Sequence, residues 1–135
     1  MVRCLPGLLL CVAALPAVAQ DLPPAVQDIV NEAAAMCESP AEVASEAVRQ
    51  ADLNGDGVQD WVIDTAYFIC PDFASLYCGT SGCGVTTLID GIRGDLTLHD
   101  WGTATSGGQT YLTAPNDEDK TVRFRWTGTE WAFLG

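Results

Sequence analysis

Period-two alternation governs the second half of this chain. Across residues 61–70, Trp61, Ile63, Thr65, Tyr67 and Ile69 interleave with Val62, Asp64, Ala66, Phe68 and Cys70. Successive side chains of a strand point to opposite faces, so a run like this, rich in β-branched and aromatic residues, predicts a strand that Pro71-Asp72 ends. The pattern returns at residues 121–126 and 130–133, on either side of Thr127-Gly128-Thr129, and predicts a hairpin. Residues 85–89 and 96–101 read as further strands and residues 110–112 as a weaker one. Asp90-Gly91, Arg93-Gly94, Gly107-Gly108 and Pro115-Asn116 act as the intervening turns.

Upstream, the period changes. Val26, Ile29, Val30, Ala33, Met36 and Cys37 recur at helical spacing, with Gln27, Asp28, Asn31 and Glu32 opposite, which predicts an amphipathic helix over residues 24–37. Ser39-Pro40-Ala41-Glu42 has the order of a capping box, with Pro at the first helical position, and predicts a short helical turn to residue 44. Helix first and strands after give the expected class: a single α+β domain over residues 20–135. Its N-terminal helix would pack on an antiparallel sheet of about five or six strands.

Residues 1–19 are set apart. Arg3, an apolar run over residues 8–15 and the small-residue pattern Ala17-Val18-Ala19 follow the order of a secretory signal peptide, with cleavage after Ala19. The run is too short to span a bilayer, and Pro6 and Pro16 interrupt it. Cys11 follows Leu10 inside the apolar region, which does not suit a lipidated cysteine. The expected product is exported, to the periplasm or beyond, without a membrane span.

Four cysteines remain after cleavage, and an even count in a short exported chain predicts disulfides, for which three connectivities exist. The Gly79-Thr80-Ser81-Gly82 loop lets Cys78 and Cys83 approach, which favours Cys78–Cys83 and leaves Cys37–Cys70. Zinc would want two close pairs of ligands, and only one close pair is present.

Charge narrows the partners. The chain carries 18 acidic and 6 basic residues, for a formal charge of −12. The expected leader takes away one Arg and no acid. This excess opposes nucleic acid and anionic membrane surfaces, which are held by Lys and Arg.

The segment with chemistry is Asp52-Leu53-Asn54-Gly55-Asp56-Gly57-Val58-Gln59-Asp60. Oxygen-bearing side chains fall at its first, third, fifth and ninth positions, with glycine sixth. Calcium takes about six to eight hard oxygen ligands, and alternate residues of a tight loop can supply them. Asp52, Asn54, Asp56 and Asp60 would bind through side chains and Val58 through its carbonyl. An EF-hand would require Glu at the twelfth position, where Ile63 stands, and a helix where the strand pattern begins. The loop instead resembles the calcium loops of FG-GAP and VCBS repeats, D-x-[DN]-x-D-G-x-x-D turns joining two strands. That resemblance implies binding through the same five positions. It covers one short segment and occurs once, whereas those repeats build propellers from several copies. The wider chain is similar to small exported bacterial proteins that carry such a loop with C-x(4)-C downstream, which implies no activity.

Other features are weaker. His99 is the single histidine, and neither Ser81 nor Ser106 lies in a nucleophile-elbow pattern. Arg93-Gly94-Asp95 reads as turn chemistry, and Asp117-Glu118-Asp119 as a solvated loop. Residues 106–111, Ser-Gly-Gly-Gln-Thr-Tyr, resemble the S-G-x-x-Y loop of periplasmic lysozyme inhibitors with one residue more before the Tyr. The expected function is that of an exported, non-enzymatic domain with calcium in a structural role. The alternative is an acidic inhibitor of a cationic extracellular enzyme such as lysozyme, steered to a basic protein partner by its charge. A small hydrolase using His99 stands behind both.

Overall fold

The computed structural model describes residues 21–135. The expected signal peptide, with its cleavage point, lies outside the described residues. Helix α1, Pro24–Ala34, has Pro at its start, where an N–H would lack a helical partner anyway, and buries Val26, Ile29 and Val30. It ends before Cys37, the limit expected from the periodicity. The Tyr77 hydroxyl donates to the Ala33 carbonyl at 2.7 Å, and the N–H groups of Met36 and Cys37 reach back only to Ala33 and Ala34. That tightening takes the last residues off the helix. Met36, expected on the buried face, is accordingly 63% exposed.

The chain after the helix is pinned by a disulfide between Cys37 and Cys70, with Cα atoms 5.7 Å apart, and by the Ser39 N–H donating to Asp72. This holds two segments side by side. Strand β1, Glu42–Val43, then pairs with β4, Phe68–Ile69, in place of the helical turn expected to residue 44. A single isolated turn of helix is costly to nucleate, and a backbone partner already held alongside wins. Ser45–Ala47 forms a 3₁₀ turn before β2, Val48–Ala51.

Strand β2 pairs with β3, Asp60–Asp64, and β3 with β6, Gly82–Ile89. Along the same edge of β6, β5 (Cys78–Gly79) pairs through Cys78 and Cys83, which are bridged as favoured from the sequence. The other edge of β6 takes β7, Ile92–Leu98. A second antiparallel sheet contains β8 (Gly102–Ser106), β9 (Gln109–Pro115), β10 (Thr121–Trp126) and β11 (Trp131–Phe133) in the order β11-β10-β9-β8. The hairpin expected at the C-terminal end is β10–β11, with Phe124 opposite Phe133 and Trp126 opposite Trp131.

Two cores follow from the alternation along β3. Ile63 turns to one face and packs with Val26, Ile29 and Val30 of α1 and with Phe68. Val62 turns to the other and joins Val85, Ile89, Leu98, Leu112 and Trp126 between the two larger sheets. Two indole N–H groups also tie the layers: Trp131 donates to Thr87 at 2.9 Å and Trp101 to Asp64 at 2.9 Å.

The class is α+β, with mostly antiparallel sheets, one α-helix among the described residues and two disulfides. The single sheet of five or six strands is corrected to sheets of two, four and five strands. Two local causes are visible. The run over residues 61–70 breaks at Thr65, where the Asp64 carboxylate accepts the Ala66 N–H and the Thr65 hydroxyl donates to the Gly84 carbonyl, so one expected strand becomes β3, a 3₁₀ turn and β4. Strand β8, Gly-Thr-Ala-Thr-Ser, is an exposed edge without apolar alternation, and nothing in its sequence marks it. No helix among the described residues is long and apolar enough to cross a membrane.

Candidate functional site

The acidic loop connects β2 to β3, so its two ends are adjacent strands, with Ala51 opposite Asp60. Its second residue, Leu53, is fully buried in the core between the two larger sheets and anchors the loop from inside. Gly55 and Gly57 take φ values of +80° and +84°, in the region that favours glycine, and turn the backbone around the acidic groups. Backbone N–H groups then orient the side chains. Asp52 accepts from Gly55 at 2.8 Å and Gly57 at 2.9 Å, Asn54 accepts from Asp56 at 3.3 Å, and Asp56 accepts from Val58 at 2.9 Å. Asp60 accepts from Leu53 at 2.9 Å.

This brings one carboxylate oxygen each from Asp52, Asp56 and Asp60 within 4.8 Å of one another. A carboxylate has about four lone-pair positions, and the backbone uses one or two of them on each residue. The Val58 side chain is apolar and exposed, and its N–H already donates to Asp56, so its carbonyl is the one atom it could offer a cation. All donors are hard oxygens, the set that suits calcium.

The electrostatics divide the loop. Burial pushes the Asp52 carboxyl up, but the N–H bonds from Gly57 and Gly55, with the nearby N–H groups of Asn54 and Asp56, outweigh it and hold the group below the usual aspartate value. Asp60 is only 3% exposed. Its burial pushes the carboxyl up, the Leu53 N–H opposes this, and the charges of Asp56, Asp52 and Asp90 add to the rise. Asp90, in the β6–β7 turn, was not marked by the sequence as a neighbour of the loop. Nor was Thr110 of β9, against whose hydroxyl Gly55 packs so closely that a Cβ would lie 2.9 Å from it.

Ile63 belongs to the helix-side core, and Asp64, one residue beyond, faces away from the loop into a second polar site. That site is a cleft of about 310 Å³ at the other end of β3, lined by Arg49, Asp64, Tyr67, His99, Asp100 and Trp101 among others. The Arg49 guanidinium lies 4.4 Å from the Trp101 ring centre and 5.8 Å from that of Tyr67, and donates to Asp64 at 3.1 Å. The structure places His99 here, with Nδ1 3.6 Å from Asp100, while neither Ser81 nor Ser106 lines the cleft. Arg49 had no sequence signal, since its neighbours in the cleft are far apart along the chain.

The remaining sequence features fall elsewhere. Arg93, Gly94 and Asp95 lie within β7 rather than in a turn, and Arg93 is engaged by Glu32 at 2.7 Å and Asp95 at 3.2 Å. Residues 106–111 include the Gly107-Gly108 tip of the β8–β9 hairpin. Cys37, Cys70 and Asp72 stand close together, but the two sulfurs are bonded to each other. Comparison of the chain with known protein families, with curated proteins and with solved structures finds no match.

Proposed function

We propose that this protein is an exported, calcium-binding domain without enzymatic activity, in which the ion has a structural role. Asp52, Asn54, Asp56 and Asp60 bind it through side-chain oxygens and Val58 through its carbonyl. The observation that carries this reading is the convergence of three carboxylates within 4.8 Å around a buried Asp60 whose neighbours are also acidic. Such a group asks for a positive charge, and the loop's only other contributions are amide and carbonyl oxygens. A bound cation supplies that charge and cross-links the start of β3 to the loop. Because Leu53 sits in the inter-sheet core and Gly55 lies against Thr110, the ion would stiffen the junction between the two larger sheets. The resemblance of the loop to FG-GAP and VCBS turns supports the same five ligands.

Export rests on the leader pattern and is compatible with two disulfides. With the leader removed, α1 becomes the N-terminal element of a single domain. The test is calorimetric titration of the disulfide-bonded protein with calcium, alongside thermal unfolding. The expected dissociation constant is about 10⁻⁴–10⁻³ M, as for other extracellular modules, with a raised melting temperature. No heat of binding and no melting shift at millimolar calcium overturn the proposal.

A further inference from the structure

The cleft at the far end of β3 leaves part of its polar lining without protein partners. Asp64 is well matched: its two oxygens accept from Arg49, Trp101 and the Ala66 backbone. It is 5% exposed and holds the guanidinium by Nη2 alone. Arg has five N–H donors, and the remaining ones have no protein partner among the described residues. The guanidinium carbon lies over the Trp101 ring, 4.4 Å from its centre, and this contact together with Asp64 restricts where the remaining donors can point. The Tyr67 hydroxyl, on a ring whose centre lies 5.8 Å from the guanidinium, has no protein partner among the described residues, and the His99 imidazole faces the exposed Asp100 carboxylate at 3.6 Å. Apart from the exposed Asp100 at the rim, the groups free to bind are thus mainly the Arg49 and Tyr67 donors, which asks for a ligand with acceptor oxygens.

We propose that this cleft binds the carboxylate group of a small organic acid, with Arg49 as its main contact and Tyr67 and His99 beside it. A planar carboxylate matches the fork of a guanidinium. Asp64 already balances the Arg49 charge and Asp100 adds a negative one at the rim, which disfavours phosphate and other dianions more than a monoanion. About 310 Å³ accommodates a ligand of modest size, at the small end of ligand pockets. The site is separate from the calcium loop and stands whether or not that loop binds metal.

The test is NMR titration of the disulfide-bonded protein with acetate, benzoate and N-acetylglycine, following the Trp101 indole N–H and the Arg49 Nε–H. Chloride and phosphate at matched ionic strength are the comparisons. Saturable shifts with dissociation constants on the order of 1–10 mM are expected. Arg49→Lys keeps the charge but loses the fork, and should weaken binding about tenfold or more. Should that variant not fold, His99→Gln, at an exposed side chain, serves instead and should weaken binding severalfold. Shifts that grow linearly, that chloride reproduces, or that the folded variant leaves unchanged overturn the proposal and leave the cleft a structural brace. Tighter binding of phosphate than of any carboxylate also overturns it.

Discussion

Two aspartates on one short strand meet opposite surroundings. Asp60 and Asp64 open and close β3, and both are nearly buried, at 3% and 5% exposure. Asp64 is matched within the protein by a guanidinium, an indole N–H and a backbone N–H. Asp60 has the Leu53 N–H, and the charges acting on it, from Asp56, Asp52 and Asp90, share its sign. One end of the strand is finished by the fold, and at the other the proposed function calls for a cation. Burial alone therefore does not distinguish a structural carboxylate from a binding one; the sign of its neighbours does.

The sharpest way to break the contrast is Asp64→Asn. The amide faces two side-chain donors with one acceptor oxygen and leaves Arg49 without a counter-charge. Removing one partner from a buried pair is strongly destabilising, and with Arg49 partly open to solvent the expected loss is about 3 kcal/mol. Urea unfolding should show it with and without calcium alike, since the site is at the far end of the strand. A loss that calcium repairs would mean that the two ends are not independent.

Next in size is the effect of calcium itself. At a concentration about one hundred times the dissociation constant, binding to the native state alone adds about 2.7 kcal/mol. Urea unfolding of the parent protein should show that gain, and Asp52→Ala or Asp56→Ala should remove most of it. A full gain in either variant would place the ion elsewhere.

The contrast was half legible beforehand. Asp52, Asp56 and Asp60 lie within nine consecutive residues, and the backbone N–H bonds to them are local, so the convergence of their carboxylates was legible from spacing. The helix face over Val26, Ile29 and Val30 was legible for the same reason, as was the β10–β11 hairpin. Arg49, Asp64 and Trp101 come together only because β2 pairs with β3 and the chain turns between β7 and β8, and no periodicity encodes that. The break at Thr65 was hidden too, because its cause is the Gly84 carbonyl, far along the chain. The short ladder of β1 and β4 lies beside the Cys37–Cys70 bridge, which joins segments distant in sequence, and β8 is marked by its pairing with β9 rather than by its own residues.

A subtler test uses pH. Without calcium, burial and then the neighbouring acidic charges raise the Asp60 carboxyl above the ordinary aspartate value in the folded protein. A raised folded value means stability that is present below the unfolded value and lost as pH rises through the folded one. Asp52, held below 3.8, works the other way: its contribution is present above the unfolded value and lost as pH falls. Asp60→Asn in calcium-free buffer near neutral pH should therefore be as stable as the parent or more so, while losing its response to calcium. Carboxyl NMR titration checks the direction at both residues, and calcium should reverse it at Asp60 by favouring the charged form. A clearly less stable Asp60→Asn in the absence of calcium would give this residue a structural role like that of Asp64.

The smallest effect concerns the two glycines that shape the loop, and it separates strain from contact. Gly57 has φ +84° and open space where a Cβ would stand, so Gly57→Ala carries backbone strain alone, about 1 kcal/mol. Gly55, at φ +80°, carries the same strain, but its Cβ would lie 2.9 Å from the Thr110 hydroxyl, and Gly55→Ala should be the more damaging of the two. If the excess comes from that contact, Thr110→Ala should relieve it, so the double variant is more stable than the sum of the single changes implies. The relief should appear in urea unfolding without calcium, because the contact belongs to the chain and not to the ion. Strict additivity would mean that the loop and β9 do not touch in solution. A bound ion would then hold β2 to β3 without reaching the second sheet.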